Sequence, residues 1–65
     1  MVQKVSEIVG SSPESFAHAA QDAVATAAKT VRHIRWFRVT EFEGQVKDQK
    51  IVEYKATVKI YFDLE

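Results

Sequence analysis

The chain has no cysteine in its 65 residues, which excludes disulfides and thiolate metal centres. Its two histidines, His18 and His33, are poorly placed to hold a metal between them. An excess of one charge is also missing, because nine basic residues balance nine acidic ones. That balance gives no general electrostatic pull toward nucleic acid or an anionic membrane. No apolar run approaches the roughly 20 residues of a membrane span. The opening MVQKVSEIVG lacks the uninterrupted apolar stretch of a signal peptide, so a cytoplasmic location is expected. With two glycines and one proline, no linker, repeat or low-complexity segment divides the chain. One domain over residues 1–65 is the expectation. A domain this small buries only about 60 % of its unfolded surface. Without disulfide or metal, association of copies is the expected source of extra stability.

What is present sorts into four elements. Residues 2–9, VQKVSEIV, read as a β-strand rich in valine and isoleucine, with Val5 and Val9 predicted to face inward. Gly10-Ser11-Ser12-Pro13-Glu14 reads as a helix start. Ser12 is the expected cap, Pro13 suits the first helical position, and Glu14 favours the positive end of the dipole. The helix is predicted to run to about Val31. Phe16, Ala20, Ala23, Val24, Ala27 and Val31 recur at helical spacing as one apolar stripe. Seven alanines between Ala17 and Ala28 keep the helix thin enough for close approach by a sheet or a neighbouring helix. The opposite side carries His18, Gln21, Asp22, Thr26 and Lys29, and His18 with Asp22 reads as a solvated pair.

The closing VEYKATVKIYFDL alternates without a break. Val52, Tyr54, Ala56, Val58, Ile60, Phe62 and Leu64 line one side, and that period of two predicts a half-buried strand whose apolar side covers the helix. The strand before it spans about Ile34 to Val46, with the turn at Lys47-Asp48-Gln49-Lys50. Pairing Val46 with Ile51 across a four-residue loop places Trp36 near Tyr61 and Phe42 near Lys55. In that register Phe37 and Val39 are buried, whereas Trp36, Arg38, Thr40 and Phe42 lie on the polar side. A bulge at Gly44 would change the facing beyond it. An exposed aromatic group of Trp36, Phe42 and Tyr61 marks an oligomer contact or a platform for a planar ligand. Both readings stand at this point.

Other classes fare less well. No nucleophile with a base and no paired carboxylates are specific enough to assign a catalytic residue, so an enzyme is not expected. His33, beside Arg32 near the helix end, is explained by capping or the dipole. Trp36 and Phe42 near Arg35 and Arg38 would suit RNA stacking, but zero net charge and three arginines argue against nucleic acid.

"IVGSSPESF" opening the helix, "VRHIRWF" entering the second strand and "FDLE" at the end together resemble the dodecins over essentially the whole chain. The resemblance implies an α+β fold, β-α-β-β, with a three-stranded antiparallel sheet wrapped around one helix and assembled as a hollow homododecamer. It also implies flavin storage, with flavin pairs stacked between tryptophans of symmetry-related subunits; Trp36 matches that tryptophan. The expected cofactor-binding set is Trp36 with its neighbours Arg35 and Phe37, together with Lys55, Glu43 and Tyr61. No metal ligand is assigned.

The chain departs from the family pattern at four places, three of them in this set. Lys55 stands where flavin-binding dodecins carry a glutamine on the flavin's polar edge, and an ammonium donates but cannot accept. Tyr61 replaces a small residue and either crowds the site or adds a stacking surface. Asp63 replaces the arginine of "FRLE", and Glu43 also stands where arginine is often found. Acidic residues there disfavour a phosphate, so riboflavin or lumichrome is expected over FMN. Glu43 or Asp63 alternatively offers Lys55 a charge partner. The competing reading is a dodecin-like structural or ion-binding shell without flavin, with Glu41 and Glu43 as oxygen ligands for a hard cation.

Overall fold

In a computed structural model that describes residues 2–64, the chain forms β1 (Gln3–Ser12), α1 (Phe16–Ala27), β2 (Ile34–Lys47) and β3 (Lys50–Asp63). β3 is the middle strand, and β1 and β2 each pair with it antiparallel. The expected β-α-β-β topology is therefore present. The alternation of β3 determines its facing. Ala56, Val58 and Ile60 have 0 % exposure and point at α1.

The helix seat rests on the smallest side chains available. Ala19, Ala23 and Ala27 are the buried residues of α1, with Ala20 and Val24 packed at their flank. A Cβ added to Gly10 of β1 would lie 2.1 Å from the Ala19 carbonyl oxygen and 2.9 Å from Ala23 Cβ. Strand and helix backbones thus touch. This contact turns Gly10 inward, and alternation then places Ser6, Ile8 and Ser12 on the same side. Val5 and Val9, expected inside, consequently face out and are exposed.

The start of the helix lies three residues later than the sequence suggests. Ser12 ends β1, and its Oγ accepts from the Glu14 N–H at 3.0 Å. Ser15 is the actual cap, with extended backbone and an Oγ that accepts from the His18 N–H at 3.0 Å. Pro13 and Glu14 therefore precede the helix. His18 contacts Ser15 Oγ at 2.8 Å and Glu14 Oε1 at 3.7 Å rather than Asp22. At the other end α1 stops at Ala27, because Thr30 and Val31 bond back to its carbonyl and His33 takes a left-handed φ of 63° into β2.

The hairpin is tighter than expected. Lys47 pairs with Lys50, so the loop is only Asp48-Gln49, both at positive φ, as a type I′ turn requires. Val46 faces Ile51 and Trp36 faces Tyr61 as read from sequence. Between them, however, two opposite register shifts occur, at Gln45/Val46 and at Val39/Glu41. Inside that window Phe42 faces Ala56 on the helix side, and its ring meets Phe16 edge-on at 4.9 Å. Phe42 therefore leaves the polar face where it was expected, and Glu43 takes the place opposite Lys55.

Helix α1 lies on β1 and β3 and only grazes β2. Phe37, expected in the core, is on the helix side but 49 % exposed. It forms one wall of an open groove of about 450 Å³, lined by Ala17, Ala20 and Val24.

Two substitutions probe this frame. Gly10→Ala overpacks the helix seat and is expected to cost at least about 1–3 kcal/mol, read as a lower denaturation midpoint; an unchanged midpoint contradicts the contact. Gln49→Gly relieves left-handed strain at the turn. After allowance for the extra chain entropy of glycine, it should add about 0.5–1 kcal/mol, and a loss of stability would be the contrary result.

Candidate functional site

The sheet face without a helix carries a ladder of polar residues that ends in aromatics. Glu53, Lys55, Thr57, Lys59 and Tyr61 of β3 run along its centre. Strand β1 adds Ser11, Val9, Glu7 and Val5 opposite the last four of these, and β2 adds Gln45, Glu43, Glu41, Arg38 and Trp36 opposite all five. Trp36 is 53 % exposed. Its ring centroid lies 5.1 Å from that of Tyr61, with the planes tilted by 36°. The Arg38 guanidinium lies 6.0 Å from the Tyr61 centroid, within reach of a cation–π contact. The result is a flat aromatic patch with a cation beside it.

Arg35, expected at the ligand, has a different partner. It occupies the register shift between Ile34 and Trp36, and its Nε donates to Asp63 Oδ2 at 2.7 Å. Gln3 Nε2 donates to Asp63 Oδ1 at 3.1 Å. The Asp63 side chain is only 1 % exposed, a burial that a carboxylate tolerates when paired and hydrogen-bonded. Arg35, then Gln3, hold its carboxyl below the ordinary 3.8. Asp63 thus ties β2, through Arg35, and β1, through Gln3, to the end of β3. No local pattern in the sequence marks this pair, whose members are 28 residues apart.

Of the remaining candidates, Tyr61 joins Trp36 and Phe37 points to the opposite face. Glu43 and Lys55 face each other at the far end of the ladder. Lys55 Nζ lies 3.8 Å from Glu53 Oε1, so its charge partner is neither Glu43 nor Asp63. Lys55 is six residues from Tyr61 along β3, about 20 Å at strand spacing. A tricyclic ring stacked on Trp36 does not extend that far within one chain. Glu41 and Glu43 are both exposed on this face, and among the described residues no group of three His, Cys, Asp or Glu comes together to hold a metal.

The dodecin family model matches residues 2–65, and the chain belongs to that family. It is 41 % identical over 64 residues to a dodecin of Thermus thermophilus, covering 98 % of this chain and 93 % of that one. The crystal structure of an arginine-to-alanine mutant of that protein matches with a TM-score of 0.94, over 98 % of this chain and 96 % of that one. Dodecin from Streptomyces coelicolor, 36 % identical, matches at 0.94 over 98 % and 91 %. A calcium-chelating immunodominant antigen of Mycobacterium tuberculosis, a calcium dodecin with a novel calcium-binding site, is 34 % identical and matches at 0.86 over 100 % and 93 %. The three-stranded sheet on one helix is the architecture of those structures. No helix among the described residues is long and apolar enough to cross a membrane.

The Asp63 lock has a signature in pH. A carboxyl whose folded pKa is lowered contributes stability that is complete above its unfolded value and lost as pH falls through the folded one. The wild-type protein should melt above Asp63→Asn at neutral pH, and the gap should close as pH drops below 3.8. A gap independent of pH contradicts an ionised Asp63.

Proposed function

We propose that this protein is a non-catalytic cytoplasmic flavin store. In this reading each chain is one domain, copies assemble as a hollow homododecamer, and Trp36 rings of symmetry-related copies clamp riboflavin-type flavins. The observation that carries it is Trp36, half-exposed on the face α1 does not cover, with a planar neighbour already beside it. Membership of the dodecin family supports the same reading.

The residues fit a flat aromatic guest. An indole and an isoalloxazine gain contact and dispersion by stacking. When bound, the flavin supplies a ring that accepts an electron when excited by light. Trp36, stacked against that ring, would be the donor that quenches the excitation without net chemistry. Lys55 of a neighbouring copy serves the flavin carbonyl oxygens as a donor, because the Lys55 of the same chain lies too far along β3. Glu43, exposed beside that lysine, disfavours a phosphate and favours riboflavin or lumichrome over FMN. Asp63, neutralised by Arg35, adds nothing to that preference.

A fluorescence titration tests the proposal. Riboflavin should be strongly quenched, saturate near one flavin per chain, and bind tighter than FMN; Trp36→Ala should abolish the quenching. An assembled protein that leaves riboflavin fluorescence unchanged contradicts the flavin reading and favours a shell without flavin.

A further inference from the structure

We infer that Tyr61 is a positioning residue that holds the Trp36 indole as a fixed stacking plate, an inference that rests on the reading of Trp36 as the ligand platform. Tyr61 is directly opposite Trp36 across the β2–β3 ladder, with the rings 5.1 Å apart and tilted by 36°. Arg38, on the same face, holds its guanidinium 6.0 Å from the Tyr61 ring centroid. The phenol ring therefore has an indole and a cation as neighbours, and it is half-buried where Trp36 is exposed. Arg35, the residue before Trp36, is paired with Asp63 at 2.7 Å, which holds the adjoining backbone. The indole is thus supported both by its strand and by its neighbour's ring.

A lone indole on a sheet face exchanges between rotamers, and a ligand that stacks on it must select one. Freezing a side chain in advance removes that cost from binding, equivalent to about threefold to tenfold in affinity. Tyr61 does this for Trp36 and directs the ligand to the indole surface away from the phenol. A bulky ring at this position therefore helps binding rather than crowding the site.

Trp36 is the chain's single tryptophan, so its near-ultraviolet circular dichroism reports on one indole. Tyr61→Ala, Tyr61→Leu and Tyr61→Phe are compared with the full wild-type chain, with assembly checked by size exclusion. The alanine and leucine variants should lose most of the Trp36 dichroism. They should bind riboflavin about threefold to tenfold more weakly, with the same fractional quenching at saturation. Tyr61→Phe should retain both properties. Should Tyr61→Ala fail to assemble, Tyr61→Leu supplies the same comparison. A ring-less variant that keeps the Trp36 signal, or binds riboflavin as tightly as wild type or more tightly, overturns the inference. If wild-type protein does not quench riboflavin at all, the flavin reading fails separately, and the dichroism still decides whether Tyr61 holds Trp36.

Discussion

Everything in this fold follows from how closely α1 approaches β1. Gly10 has no side chain, and the turn from Ala19 to Ala23 rests on its backbone. A helix seated that low covers the strand it touches and the middle strand beside it, and little of the third. The six buried apolar side chains among the described residues include four alanines, with only Val58 and Ile60 of any bulk. Hydrophobic stabilisation scales with area removed from water, so such a core stabilises one chain only slightly. The deficit is built into the contact that makes the helix fit.

Strand β2 bears the consequence on both faces. On the helix side Phe37 stands 49 % and Phe42 57 % exposed, only partly covered by α1. On the other side Trp36 is open to solvent beside Tyr61 and Arg38. Large exposed apolar groups on a small protein mark places where something else binds. In the proposed assembly, neighbouring copies would cover these surfaces. The separation of Trp36 from Lys55 along the ladder fits that arrangement, because only a second copy can bring both to one ligand.

The sequence discloses the parts of this that depend on a single repeated pattern. Strand β3 alternates, so its inward residues Ala56, Val58 and Ile60 and its position under the helix are legible at once, although Val52 near its start and Leu64 just past its end are exposed and Asp63 is buried. The opposition of Trp36 and Tyr61 is legible too, although by a route that conceals two cancelling register shifts. Phe42 lies between those shifts and so is misassigned; neither shift falls at Gly44, the one residue that suggests a bulge. The facing of β1 is not legible from its valines, because Gly10, with no side chain of its own, decides it. Ser12 is misread as the cap because it too accepts a backbone N–H, from Glu14, whereas Ser15 caps the helix. The Arg35–Asp63 lock joins residues 28 apart in the chain and leaves no periodic trace. Tertiary contact, not local preference, settles each of these cases.

Native mass spectrometry of the purified wild-type protein, with and without riboflavin, tests the central claim most directly. The account predicts a homododecamer whose mass rises by one riboflavin per chain. A protein that remains monomeric, or a dodecamer whose mass riboflavin leaves unchanged, would contradict it.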